Sequence, residues 1–234
     1  MKILFIPGLL CTSEVWGGLN LLRNDFDCFD ADVSRNNSIF GMSEDTISMI
    51  AQEAENSIVA IGISMGGYVA LNLALQHIRQ IKMLVLINTS SHAVAPETVS
   101  NRLEMIEYVK EGRFSEVLKS SKGYCFFKTS KETDELEIRM GISVGADAYI
   151  NQQTAIISRE DLTNRLQEIN IQTLIISGKN DQILPVEDSY EMFDLITDSK
   201  LVAYSNCGHL STLEGKNIYN DVSGFIKNDF PSNR

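Results

Sequence analysis

Short apolar runs alternate with amphipathic stretches along this chain, and each change of period predicts an element. Residues 2–6 are apolar up to Pro7-Gly8 and predict a buried strand followed by a turn. After a loop containing Trp16, a weaker strand is predicted over 27–31, followed by polar residues 32–38. Residues 42–55 alternate apolar and acidic positions at helical spacing, with Ser43 or a nearby polar residue available as N-cap. The strongly apolar run 57–63 predicts a central strand. Residues 68–76 are apolar nearly all round, as a helix buried against a sheet is, and 82–87 supply the next strand.

From Ser91 to Ile169 the strand signal disappears, and helices are predicted over 97–111, 114–122, 131–144 and 147–158. Strand character returns at 173–177 and 201–204, each followed by a loop and a helix, 186–196 and 217–228. The alternation predicts an α/β fold, a mainly parallel, doubly wound sheet of about six strands. Residues 1–90 and 170–234 form its core, and 91–169 form an inserted helical cap.

The chain has 234 residues, 44% hydrophobic and 22% charged, enough to bury a sizeable core and unlike a disordered composition. Its 20 basic and 31 acidic residues give a net charge of −11, which repels phosphate backbones and anionic lipid, so neither nucleic acid nor a membrane is an expected partner. The apolar start is broken by Pro7-Gly8, carries one positive charge and lacks a small residue before Cys11, so it does not read as a signal peptide or lipoprotein anchor. Cys11, Cys28, Cys125 and Cys207 form no CxxC pair and have no zinc-finger histidine spacing. Free thiols, a cytoplasmic location and no metal or cofactor are expected.

Gly62-Ile63-Ser64-Met65-Gly66-Gly67 stands between a strong strand and a strong helix. A strand that turns at once into a helix strains the middle residue and brings its neighbours too close for Cβ atoms, so glycine at 62 and 66 projects Ser64 from the end of the sheet. Alone, such a segment is more often a mere turn. The lysine and spacing of a phosphate-binding loop are absent, as is the dinucleotide fingerprint G-x-G-x-x-G.

A serine hydroxyl needs a base to become a nucleophile, and histidine is the usual one. His77 lies roughly 15 Å along the helix from Ser64. His92 stands where the chain leaves the sheet, and a surface role suits it. His209, after the last strand, emerges at the same carboxyl edge as Ser64, where parallel sheets form their ligand sites. The imidazole needs a carboxylate to hold its tautomer. Asp181 follows the preceding strand; Glu187 and Asp188 compete but lie past Pro185, and Asn88-Thr89-Ser90-Ser91 offers no acid.

The order Ser64, Asp181, His209 on three separate strand ends resembles the triad of the α/β-hydrolase fold, and the resemblance extends along nearly the whole chain. Pro7-Gly8-Leu9 stands where that family carries its oxyanion loop, although Pro7 replaces the usual histidine. The resemblance implies that the backbone amides of Leu9 and Met65 bind the oxyanion, and that the family's first two antiparallel strands are missing. It implies a carboxylic-ester hydrolase for a small or medium, mostly uncharged acyl substrate, working through an acyl-enzyme. The alternatives are a lyase or C–C bond hydrolase using the same three residues, and a non-catalytic ligand-binding protein on this fold. Tyr108, Tyr124, Phe126, Phe127, Met140 and Tyr149 could line an apolar pocket, and equally could pack cap helices together.

Overall fold

A computed structural model describes residues 1–53 and 57–229 of the chain. Six strands, β1 (Lys2–Ile6), β2 (Asp27–Asp30), β3 (Ile58–Ile63), β4 (Ile81–Ile87), β5 (Gln172–Gly178) and β6 (Ser199–Tyr204), form one sheet in the order β2-β1-β3-β4-β5-β6. Every neighbouring pair is parallel. The order reverses between β1 and β3, so their carboxyl ends open side by side into the crevice that such a switch point creates.

Alternate strand residues serve opposite faces. Leu4, Ala60, Leu84 and Ile175 pack toward α1 (Ile39–Ile50), α2 (Met65–Leu75) and α7 (Val186–Leu195). Phe5, Ile61, Val85 and Ile176 pack toward Trp16, Leu19 and α9 (Ile218–Asp229). The helices α3 (Pro96–Lys110), α4 (Phe114–Ser120), α5 (Lys131–Val144) and α6 (Ala146–Ile157) lie in sequence between β4 and β5.

Three local expectations are corrected. The helix expected over 42–55 starts at Ile39, because Ser38 is extended (φ −142°) and its hydroxyl accepts the Gly41 amide. Ser43 is not the cap: it is buried inside the helix and donates to the Phe40 carbonyl. The helix ends at Ile50, and positions 54 and 55 lie outside the described residues. The segment around Trp16 is not an open loop but tight 3₁₀ turns over Ser13–Asn24, with the indole buried 4.7 Å from the Phe5 ring. A further short helix, α8 (Ser211–Glu214), follows His209 where a loop was expected.

Candidate active site

β3 is buried at every position and delivers Ser64 to the centre of the sheet's carboxyl edge. Ser64 takes φ 53° and ψ −119°, and α2 begins at the next residue. A non-glycine residue held there costs about 1–3 kcal/mol, so the surrounding structure must impose it. A Cβ at Gly62 would lie 2.4 Å from the Gly66 carbonyl oxygen, and one at Gly66 would lie 1.9 Å from that of Ile6. β4 completes the clamp: Ser64 N donates to Ile87 O at 2.9 Å, and Thr89 Oγ1 donates to Ser64 O at 2.8 Å.

The structure brings the three separated side chains together. His209 Nε2 is 2.8 Å from Ser64 Oγ, and His209 Nδ1 is 2.7 Å from Asp181 Oδ2. The histidine and aspartate side chains are 5% and 1% exposed, so water hardly competes for their contact. Asp181 Oδ1 accepts the amides of Ile183 at 2.8 Å and Leu184 at 3.0 Å, and Oδ2 also accepts Asn88 Nδ2 at 2.9 Å. Burial pushes the Asp181 carboxyl up. The hydrogen bond and charge of His209, with the Leu184 and Asn88 donors, outweigh that and hold it below its ordinary value. With Asp181 ionised, His209 Nδ1 donates and Nε2 is left to accept the serine proton, the arrangement needed to activate a hydroxyl.

The Pro7–Leu10 turn after β1 lies against the elbow; a Cβ at Gly8 would sit 3.3 Å from Ser64 Cβ. Leu10 has φ 57°, and its amide donates to Gln152 Oε1 at 3.0 Å. Gln152, on α6, donates in turn to Val33 O, so it fastens the turn to the neighbouring loop. Among the described residues neither Leu9 N nor Met65 N donates a hydrogen bond; Met65 follows Ser64 at the start of α2, and Leu9 lines the cavity with it. Two unspent amides beside a nucleophilic oxygen can bind a developing negative charge.

A cavity of about 170 Å³ opens over Ser64 and His209 and is also lined by Leu9, Tyr68, Arg102 and Met140. Of the six aromatic and methionine positions considered from sequence, Met140 lines it. Tyr149 instead packs 5.8 Å from Phe114, Phe126 joins the core beside α9, and Tyr124 is 56% exposed.

The other two histidines stand elsewhere. His77 is exposed at the end of α2. His92 pairs with Glu191 at 2.7 Å. Among the described residues no three His, Cys, Asp or Glu side chains group as metal ligands would, and no disulfide joins the four cysteines. No helix among them is long and apolar enough to cross a membrane.

Sequence reasoning missed the residues that hold the site. Asn88, left-handed at φ 42°, donates to Asp181 and to Gly208 O and accepts from the Ser211 hydroxyl. Glu214 accepts Gly208 N at 2.7 Å and Phe127 N at 3.1 Å, tying the histidine loop to the segment before α5. A polar residue at a strand end was the one available signal for Asn88.

Comparison with known proteins places this chain in a hydrolase family. The family model described as serine aminopeptidase, S33, matches residues 37–216. A 2-hydroxy-6-oxononadienedioate/2-hydroxy-6-oxononatrienedioate hydrolase of Pseudomonas putida is 27% identical over 173 residues, 70% of this chain and 61% of that protein. This chain therefore spans about three fifths of that relative's length. The AB hydrolase superfamily protein YisY of Bacillus subtilis is 26% identical over 80% of this chain and 72% of its own. Among solved structures, a thermophilic esterase from Thermogutta terrifontis superposes with a TM-score of 0.85 at 20% identity, covering 97% of this chain and 90% of that one. At that identity the likeness is one of fold.

Proposed function

We propose that this chain, which belongs to the serine aminopeptidase S33 family and has the α/β-hydrolase fold, is a serine hydrolase that cleaves a small or medium carboxylic ester or related acyl bond. The observation that carries the reading is the continuous contact from Ser64 Oγ to His209 Nε2 at 2.8 Å and from His209 Nδ1 to Asp181 at 2.7 Å. Ser64 Oγ attacks the acyl carbon while His209 Nε2 takes its proton. The amides of Leu9 and Met65 hold the oxyanion, and one such donor is typically worth about 10²–10³ in turnover. His209 then protonates the departing alcohol, leaving an acyl-enzyme. Water, deprotonated by the same imidazole, releases the acid and restores Ser64. The helices over 91–169 act as the cap that sets specificity. The cavity of about 170 Å³ is smaller than the roughly 300–1,000 Å³ of drug-sized sites, which favours a short acyl group.

A second reading is favoured by the names of several curated relatives, among them the Pseudomonas putida protein, a hydrolase of a 2-hydroxy-6-oxo acid. In that reading the same three side chains move protons during cleavage of a carbon–carbon bond next to a ketone. The test is turnover of p-nitrophenyl esters of increasing chain length by the wild type, Ser64→Ala and His209→Ala. Loss of turnover in both variants supports the hydrolase reading, and equal rates in all three overturn it. Product analysis on a vinylogous 1,5-diketone acid distinguishes carbon–carbon cleavage from ester cleavage.

A further inference from the structure

Among the described residues, one cation lining the cavity over Ser64 has no anionic partner. Arg102, on α3, lines the cavity and is half-buried. Its Nη1 donates to Gln153 Oε1 at 2.7 Å, a neutral partner, and its Nε is buried with no hydrogen-bond acceptor. Three other arginines of this chain show what that edge of a guanidinium ordinarily does. Arg113, Arg139 and Arg165 each present Nε and Nη2 side by side to one carboxylate, that of Glu116, Glu14 and Glu168 respectively. At Arg102 the same two-pronged edge meets no carboxylate among the described residues.

The surroundings sharpen the point. Burial disfavours the charge on Arg102, and Arg159 adds like-charge repulsion. Arg159 lies with its guanidinium 4.2 Å over the Tyr68 ring, has its own Nη1 buried without an acceptor, and also lacks an ion pair among the described residues. Tyr68 lines the cavity and follows Ser64 by four residues, one turn or roughly 6 Å along α2. Of the other charged groups lining the cavity, Lys122 Nζ lies 3.0 Å from Asp134, while the Glu137 carboxylate accepts the neutral Gly123 amide at 3.0 Å and keeps its negative charge. A guanidinium withdrawn from water without an anion is costly, and Nη2, which has no partner among the described residues, is the donor that a carboxylate in the cavity would meet in a charge-assisted hydrogen bond.

We propose that Arg102 binds a carboxylate carried by the substrate, so that the cavity selects acyl groups bearing a second, free acid, such as half-esters of short dicarboxylic acids. This replaces the uncharged substrate expected from sequence, and it rests on the hydrolase reading for the reacting carbonyl at Ser64. The free acid is not consumed: Ser64 displaces the alcohol from the ester end, water releases the acyl-enzyme, and the product is the dicarboxylate.

The test compares kcat/KM for monomethyl succinate, glutarate and adipate, each against the neutral ester in which an isopropyl group replaces the carboxylate. A charge-assisted pair predicts that at least one half-ester is preferred by about 10- to 100-fold in the wild type. In Arg102→Gln the preference falls to near one, chiefly through KM, and Arg102→Lys restores part of it. Binding of succinate and glutarate by calorimetry supplies a readout that needs no turnover, and it is expected in the wild type and lost in Arg102→Gln. A wild-type preference at or below one with no dicarboxylate binding overturns the proposal. So does an Arg102→Gln variant that slows both ester types by the same factor and still binds the dicarboxylates. If no ester of either type is turned over and a fluorophosphonate does not label Ser64, the hydrolase reading fails, while dicarboxylate binding lost in Arg102→Gln still supports the anion subsite.

Discussion

Asn88 Nδ2 lies 2.9 Å from Asp181 Oδ2, the same oxygen that meets His209 Nδ1 at 2.7 Å. The two residues are 93 positions apart in the chain, and the contact forms because the ends of β4 and β5 are in register, with Ile87 beside Ile176.

Asn88→Ala removes that donor and leaves the Ser211 hydroxyl without its partner. An unsatisfied buried polar group costs about 1–3 kcal/mol, so a lower melting temperature is expected. Because Asn88 helps hold the Asp181 carboxyl low, its loss should also raise the pH at which stability falls away in acid. Melts over a range of acid pH check both; an acid dependence that does not move contradicts the positioning role.

Ser64→Gly and Ser64→Ala both remove the hydroxyl, yet they should differ in stability. At φ 53° glycine sheds the strain that alanine keeps. After the extra freedom glycine has in the unfolded chain, a net gain of about 1 kcal/mol is expected over Ser64→Ala, or about 2–4 °C in Tm for a chain of this size. Calorimetric scans of the two variants side by side measure the difference, and neither should be labelled by a fluorophosphonate.

Glu214→Ala deprives the amides of Gly208, Phe127 and Lys128 of their acceptor. The histidine loop and the segment before α5 then lose a shared anchor. A fall in kcat of at least about 10-fold is expected, because a small displacement of a catalytic group has large kinetic effects. Glu214→Gln, whose single amide oxygen can still accept on one side while its NH2 faces an amide on the other, should recover part of it, and steady-state kinetics on the three proteins decide.

Stability should depend on pH through Asp181, whose native carboxyl is held below its ordinary value. A depressed carboxyl contributes stability that is fully present above the unfolded value of about 4 and is lost as pH falls through the native value. Denaturant unfolding of the wild type and Asp181→Asn should therefore show a gap that is constant near neutrality and narrows below about pH 4. A gap that widens in acid contradicts the assignment.

Much of the fold was legible because its signals are local. The run at 57–63, the glycines at 62 and 66, and the helical periods at 131–144 each report a few neighbouring residues. Ser64, Asp181 and His209 were legible as candidates because each follows a recognisable strand at the same edge. Arg102 and Gln152 sit on helices where nothing in the local pattern separates them from solvent-facing polar residues. Their partners lie far along the chain: Gln152 meets Leu10 across 142 positions.

By itself the sequence determined the six parallel strands, the strained serine between strand and helix, and the order of three chemically suited side chains, since sterics and periodicity act over one or two turns. The tertiary structure alone decided which polar groups meet. Among the described residues it turned Asn88 toward Asp181, left the Leu9 and Met65 amides unspent, kept all but one of the candidate pocket residues out of the cavity, and left Arg102 on the cavity wall without an anion. Hydrogen bonds and charges act at about 3 Å in space whatever the distance along the chain, and the register of the sheet brings those atoms within reach.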